Sequence, residues 1–578
     1  MSEFILSPGH LDFLLFDWLK IDETGELDRE TGMAILDTAF RLADEAFLSC
    51  YKEADRQEPW QDDQGVHILP AITSALAQYA ELGLFGASFA PELGGMGLPQ
   101  SFTIAMFGVF ATAHISAINY TVLTAANARL LAAFGTKAQI DYFARPEIEG
   151  RWFGTMALSE PQAGSGLGDV RTRATPDGED ELGPRYRLRG NKMWISGADQ
   201  DASENIVHLV LAKVAGENGA LPEGTKGISL FIVPKILPDG RRNDVKVAGL
   251  NHKMGNRGTT NCLLNLGEDE GAVGWLVGAE GQGLPQMFQM MNEARLAVGM
   301  AGASLAYRGY RHAVRYAQER LQGREMGKPG GDPVAIIRHP DVRRMLLQQK
   351  AYAEGAVALC LYCAALVDDK SDEAEELLAL LTPIAKSWPS EFGLIANDLA
   401  IQVHGGYGYT RDFDVEQVWR DNRLNPIHEG TTGIQAIDLL GRKILRSNGS
   451  GMALLAQHIE STVKAAGARP EWADEADKLR SYWRRISAVV EGLRTVEGAG
   501  AYDDATMFMR GFGHGVVAWL WLDLALAAQD SGKATFATGA ASACRFFIEA
   551  ELPQGAAWLD IVDGHSNLVR SIPDDIFA

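Results

Sequence analysis

Over the first 155 residues apolar side chains recur every three or four positions among Ala, Leu and charged residues, the spacing of helices that bury one face. An apolar cluster at residues 11–19 (LDFLLFDWL) predicts a docking helical arm, and PELGGMGLP at 91–99 predicts a loop between helices. From 156 to 278 the period shortens. β-Branched and polar residues alternate between Gly, Pro, Asn and Asp in YRLRG, NKMWISG, NIVHLVLAKV and GISLFIVP, which predicts a domain of short strands. The helical period returns from 281 to 444, with long segments at 285–322 and 341–366, and an acidic solvated stretch at 368–376. After SNGSG at 447–451 the chain is again rich in Ala and Leu. The expected class is α+β, ordered as an arm (1–34), a helical domain (35–155), a β-domain (156–280), a helical bundle (281–446) and a C-terminal helical extension (447–578). No short-period repeat or low-complexity tract is present.

Length and composition narrow the function classes. At roughly 150 residues per domain, 578 residues suggest about four domains, and a hydrophobic fraction of 46% supports large cores. Acidic residues outnumber basic ones 75 to 53, a formal charge of -22, which argues against nucleic acid as the partner. Five scattered cysteines do not look like a disulfide framework, so a reducing cytoplasm is expected. MSEFILSPGH at the start does not read as a signal peptide. The apolar stretch 515–528 is short for a bilayer and contains Asp523; it is expected to be a buried helix, and no membrane span is expected.

Candidate chemistry sits in a few segments. MALSEPQAGSGLGDV (156–170) is a loop of small residues with hydroxyls at Ser159 and Ser165. KMWISG (192–197) places Trp194 beside Ser196 on a strand. NPIHEGTTG (425–433) holds Glu429 between apolar Ile427 and Gly430. A carboxylate desolvated there has a raised pKa, which suits the removal of a carbon acid's proton. Cys360 and Cys363 (LCLYC) have no second pair and lie in an apolar helical stretch, so core packing is expected, as it is for Trp519 and Trp521. The glycines around 281–283 mark a bend before a helix. No HExxH, Walker loop or GxSxG with suitable partners occurs, and no metal is expected.

The pairing of the 156–170 loop with the 192–197 strand resembles the middle domain of the acyl-CoA dehydrogenases. There a loop of the form A-L-T-E-P-x-A-G-S-D is followed by a strand K-x-W-I-T. HKMGNRGTTNC (252–262), GWLVGAEGQGL (274–284), MNEARLAVGMAGASLA (291–306), YAQERLQGREMG (316–327) and residues 402–435 extend the resemblance over roughly 35–445. It implies the acyl-CoA dehydrogenase fold: N-terminal helical domain, middle β-domain and C-terminal four-helix bundle. The arm and extra C-terminal helical domain resemble the long bacterial branch that includes 3-methylmercaptopropionyl-CoA dehydrogenases.

By the same resemblance the cofactor is FAD. Met156, Leu158, Ser159, Gly164 and Ser165 belong to the loop at the flavin, Trp194 stacks on the ring and Ser196 reaches N5. Arg320, Gln322, Gln402, Gly405 and Gly406 meet the FAD of a neighbouring subunit, and Gly430 and Thr431 also touch FAD. Gly166 stands where the family has Asp, and Gly323 where it has an aromatic. Glu429 is the catalytic base, removing the α-proton of an acyl-CoA thioester while the β-hydrogen leaves as hydride to flavin N5, giving trans-2-enoyl-CoA. The enolate oxygen is stabilised by the Glu429 N–H and a ribityl hydroxyl, at roughly 10²–10³ in rate per donor. Substrate contacts fall to Ser165, Met291, Asn292, Arg295 (to the CoA phosphates), His428, Glu429 and Gly430, with Tyr407 and Tyr409 near the acyl pocket. Electron transfer flavoprotein is the implied oxidant and a homodimer the implied assembly, in a bacterial cytoplasm. An acyl-CoA oxidase, a member of the fold that is not a dehydrogenase, and a helical scaffold protein are the alternatives.

Overall fold

The structure, a computed structural model, describes residues 2–327 and 330–578, and for residues 289–293 the backbone alone. It divides into two compact units. The first contains Asp37–Leu98 and Val109–Ala294; the second contains Ser2–Leu36, Pro99–Gly108 and Arg295–Ala578.

In the first unit the helical texture is interrupted early by a hairpin of β1 (Trp60–Asp62) and β2 (Gly65–His67). The helical period had hidden it; its turn is made locally, by Gln64 N–H donating to Asp62 Oδ1 at 2.7 Å and by Gly65 at φ +136. The loop at 91–99 is held by close approach: a Cβ on Gly95 would collide with the carbonyl of Phe89.

The β-domain contains β3 (Trp152–Ala157), β4 (Arg173–Asp180), β5 (Gly183–Ser196), β6 (Asn205–Val214), β7 (Ile228–Pro234), β8 (Val245–Leu250), β9 (Asn261–Leu266) and β10 (Ala272–Leu276). They pair in the order β10-β7-β6-β4-β5-β9-β8, with β3 parallel to β6. β10 also pairs with β5, which closes the path β5-β4-β6-β7-β10 on itself. The 14-residue β5 makes this possible: its first half serves β4 and β10, and its second half serves β9. β6 and β7 are buried almost throughout, so they read as apolar runs with little alternation. Leu209, Leu211, Leu230 and Ile232 face one core, while Val210, Phe231, Leu188 and Ile195 face another.

The second unit is helical. Long helices Pro340–Asp368 and Asp372–His404 are joined by a short turn whose Ser371 accepts from Ala374 N–H. The acidic stretch there ends one helix and starts the next. Asp368 also takes the N–H groups of Gln100 and Ser101 at 2.6 and 2.9 Å, capping the start of helix Gln100–Phe134. Helix Ala505–Asp530 is central to the C-terminal extension, with Trp519 and Trp521 buried as expected. Cys360 and Cys363 are likewise buried in their helix. The N-terminal cluster docks within this unit. Leu11, Phe13, Leu14 and Leu15 are buried, Trp18 Nε1 donates to Asp523 at 2.7 Å, and Lys533 and Arg29 both reach Asp12 and Asp17.

One expectation is corrected. The apolar stretch near the C-terminus is too short to span only if read alone; flanking residues extend it to a 26-residue helix. By length and composition three helices, Gln100–Phe134, Pro340–Asp368 and Ala505–Asp530, could cross a membrane. Most of each apolar window is buried inside the protein, so these faces are occupied by packing.

Candidate active site

In the first unit the loop after β3 is bound to β5. Met193 N–H donates to Ser159 O at 3.0 Å, and Lys192 Nζ donates to Leu158 O at 3.0 Å and to Glu160 at 2.9 Å. Glu160 and Lys192 are both buried. Burial alone would push the Glu160 carboxyl up; the charge of Lys192, the Thr172 hydroxyl and the Arg171 N–H instead hold it down at about 2. Both residues stood inside the sequence motifs without an assigned task, since nothing local reveals a pairing across 32 positions.

This staple leaves the tip of the loop open. Ser165 is exposed, and a Cβ on Gly164 would meet nothing within 4 Å. Met156 and Leu158 turn their side chains against the core and offer backbone to the loop. On β5 the register shifts between Lys192 and Ile195, and within that bulge Trp194 takes φ +66. Its indole stands 58% exposed, an aromatic plate that burial in a core would not leave. Ser196 Oγ accepts from Asn261 Nδ2 at 3.1 Å, so its own O–H can donate outward. An exposed aromatic plate, an outward hydroxyl and an open small-residue loop fit the ring of a flavin.

In the second unit Glu429 sits at φ +53, followed by Gly430 at φ +90. A left-handed conformation costs a residue with a Cβ about 1–2 kcal/mol, so the turn must be held. Gln435 Nε2 donates to Glu429 O at 3.0 Å, and Lys386 Nζ donates to Gly430 O and Asn425 O. Among the described residues no acceptor is present for the Glu429 N–H. Although solvent still reaches part of this side chain, desolvation pushes its carboxyl up, opposed by the charges of Lys386 and Arg295.

His428 is held neutral. Burial, reinforced by Lys386, pushes it down to about 3, and its Nε2 pairs with Asn425 Oδ1 at 3.1 Å. Asn425 Nδ2 donates to Asn422, and Asn422 Nδ2 to Asn397, so the Oδ1 can only accept and His428 carries its proton on Nε2. Thr431 Oγ1 accepts from Ile434 N–H and starts helix Thr432–Ile437.

Arg295 is 5% exposed and pairs with Asp438 at 3.4 Å, which sets its charge inside the protein in electrostatic reach of Glu429. The side chains of Met291 and Asn292 lie outside the described residues.

Arg320, Gln322, Gly405 and Gly406 come together on a cleft of about 650 Å³, with Tyr316, His339, His404 and Tyr407 among its other walls. Arg320 donates to Gln322 at 3.0 Å and lies over the Tyr407 ring. Gly405 ends helix Asp372–His404 at φ +60, and a Cβ there would meet open space. An open cationic cleft with two bare glycines fits a phosphate-bearing nucleotide. Gln402 is exposed on the same helix end but is not a wall of the cleft. Tyr407 belongs to this cleft, and Tyr409 stands 90% exposed.

Comparison with known proteins gives four matches in chain order. They are "Acyl-CoA dehydrogenase, N-terminal domain" over 30–151, "Acyl-CoA dehydrogenase, middle domain" over 155–267, "Acyl-CoA dehydrogenase, C-terminal domain" over 281–445, and "Acetyl-CoA dehydrogenase C-terminal like" over 455–573. A 3-methylmercaptopropionyl-CoA dehydrogenase of Ruegeria pomeroyi is 36% identical over 463 residues, 78% of this chain and 77% of that protein. The broad-specificity linear acyl-CoA dehydrogenase FadE5 of Mycobacterium tuberculosis is 31% identical over 98% of each. In fold, Caenorhabditis elegans ACDH-11 in complex with C11-CoA superposes with a TM-score of 0.76 at 19% identity, covering 98% of this chain and 96% of that one. An acyl-CoA dehydrogenase complexed with FAD from Bacillus anthracis gives 0.72 at 20% identity, covering 96% and 90%.

Proposed function

The chain belongs to the acyl-CoA dehydrogenase family, and from that premise we propose that Glu429 is the base with which it dehydrogenates its thioester. The protein is a FAD-dependent acyl-CoA dehydrogenase, forming an α,β double bond in an acyl-CoA. The observation that carries the base assignment is the Glu429 turn itself: a left-handed backbone presenting a carboxyl whose pKa is raised by burial, beside a backbone N–H that has no acceptor among the described residues.

A carboxyl raised by desolvation is a stronger base than one in water, which suits a weakly acidic α-proton. Arg295 and Lys386 oppose that rise and keep the carboxylate charged enough to act. The Glu429 N–H is placed on the same residue as the base, where it can donate to the carbonyl oxygen as negative charge grows there. Neutral His428 shapes the neighbouring wall without adding charge. Bound FAD supplies the acceptor for the β-hydrogen. Its ring would be held by Ser159, Ser165, Trp194 and Ser196. The Arg320, Gln322, Gly405 and Gly406 cleft would take the adenosine and pyrophosphate of the FAD bound to a partner copy, which makes the working unit a homodimer.

The substrate class is an unbranched acyl-CoA with a CH₂–CH₂ next to the carbonyl. The relatives support this, since they include 3-methylmercaptopropionyl-CoA, linear acyl-CoA and butyryl-CoA dehydrogenases. Electron transfer flavoprotein as oxidant, a role in β-oxidation and a bacterial cytoplasmic location complete the proposal.

The test is anaerobic titration of the yellow holoenzyme with acyl-CoAs of increasing length, including methylthiopropionyl-CoA, while flavin absorbance is followed. Wild type bleaches; Glu429→Gln keeps FAD and ligand binding and does not bleach. Bleaching at the wild-type rate in Glu429→Gln refutes the base assignment. Reoxidation by oxygen in place of electron transfer flavoprotein refutes the proposed oxidant.

A further inference from the structure

Lys386 lies in the middle of helix Asp372–His404 with no exposed surface. Its Nζ donates to Asn425 O at 2.8 Å and to Gly430 O at 2.7 Å. Those two carbonyls bracket residues 426–430, the turn that ends in two successive left-handed residues, Glu429 and Gly430. An ammonium has three donors and no acceptor, so it can bridge two carbonyls, which no carboxylate, imidazole or apolar side chain of that length can do at neutral pH. The other ties on the turn, from Gln435 and between His428 and Asn425, are neutral.

We propose that Lys386 is a positioning residue for the dehydrogenation: its ammonium clamps the turn that carries Glu429 and sets a positive charge near that carboxylate. The inference rests on Glu429 being the base. A lysine that merely solved its own burial would be satisfied by any two carbonyls. This one takes the pair on either side of the strained turn, 39 and 44 residues away in sequence.

The charges around it are consistent with this role. Lys386 is pushed down to about 8 by burial, with Glu429 and Glu391 attracting its proton and Arg295 repelling it. Glu429 in turn faces Lys386 and Arg295. Removing the ammonium takes away a charge that holds the Glu429 pKa down, so the acid limb of the rate profile moves to higher pH. In wild type, Lys386 loses its charge as the pH passes about 8, so part of the alkaline response belongs to it.

The experiment compares holoenzymes of wild type, Lys386→Met, Lys386→Gln and Glu429→Gln. Lys386→Met is expected to retain FAD and bind the enoyl-CoA product. Its kcat falls roughly 10- to 100-fold with little change in KM, since displacement of the base by about 1 Å costs on the order of 10²-fold. Its acid limb rises by about one pH unit, the usual influence of a charge at close range. Lys386→Gln, whose amide can still donate to a carbonyl, recovers part of kcat but shows the same shifted limb. A folded Lys386→Met with wild-type kcat and an unmoved acid limb overturns the proposal; if that variant yields no holoenzyme, Lys386→Gln is judged on the acid limb alone. A crystal structure of the wild-type holoenzyme with Nζ out of hydrogen-bonding distance of both carbonyls also overturns it. Glu429→Gln separates the two ideas. If it still bleaches, the base reading falls and this one with it; if it is inert while Lys386→Met behaves as wild type, only the clamp is wrong.

Discussion

Deleting Glu160 tests how the loop after β3, proposed to hold the flavin, is itself held. Its carboxylate gathers five donors: Lys192 Nζ at 2.9 Å, Thr172 Oγ1 at 2.5 Å, Arg171 N–H at 2.7 Å, Thr172 N–H at 3.0 Å and Gln162 Nε2 at 2.7 Å. The drop from 4.5 to about 2 corresponds to about 3 kcal/mol of stability. Because the folded pKa lies below the unfolded one, that contribution is complete above about pH 4.5 and is lost as the pH falls through 2. Lys192 is displaced in the opposite sense, down to about 8 by burial, which costs a comparable amount at pH 7. The pair as a whole therefore contributes about nothing net, as buried ion pairs commonly do.

The single deletion is then the informative one. Glu160→Ala leaves the Lys192 ammonium buried with only the carbonyls of Leu158 and Leu211, and is expected to cost about 3–5 kcal/mol. Lys192→Met leaves the carboxylate its backbone and hydroxyl donors and costs less, about 1–2 kcal/mol. The double variant Glu160→Met with Lys192→Met returns toward wild type. Urea unfolding of the holoenzyme gives the stabilities, and flavin fluorescence gives the FAD dissociation constant, expected to weaken about tenfold in Glu160→Ala as the loop loosens. The reasoning is refuted if Glu160→Ala lies within about 1 kcal/mol of wild type with unchanged FAD affinity, or if the double variant is no more stable than it.

Two other substitutions probe single features. Trp194→Gly removes an exposed ring from a residue at φ +66, so stability is unchanged or rises by up to about 1 kcal/mol while FAD binding weakens about tenfold; equal FAD affinity in equilibrium titration refutes the stacking role. Glu147 is buried, both carboxylate oxygens lack hydrogen-bond partners among the described residues, and burial pushes its carboxyl well above the ordinary range. Its penalty is absent below about pH 4 and grows as the pH rises toward the folded pKa, so Glu147→Met should stabilise the protein by about 1 kcal/mol or more at pH 7 and by less at pH 5. Equal gains at both pH values in thermal unfolding refute that account.

Much of this protein was legible one residue at a time. The change from 3.6-residue to two-residue spacing near position 156 marked the β-domain, because helices and strands bury faces with different periods. The 156–170 loop and the 192–197 strand were distinctive only as a pair, and the Glu429 segment through its spacing from residues 402–406; together they carried the family resemblance. The hairpin at 60–67 was missed because three-residue strands are too short to establish an alternation.

What the tertiary structure decided is which charges meet and how wet they are. Arg295 has the sequence neighbourhood of a ligand-binding cation, yet packing buries it against Asp438, 143 positions away. Lys192 and Lys386 look like ordinary lysines in one dimension, and only the fold places each against carbonyls from a distant loop. The bulge that turns Trp194 outward arises from the register of β5 against β9. Periodicity follows from local backbone geometry and so is written along the chain. A side chain's burial, its partner and its proton affinity depend on atoms that are near in space and far in sequence, and they exist only once the chain has folded.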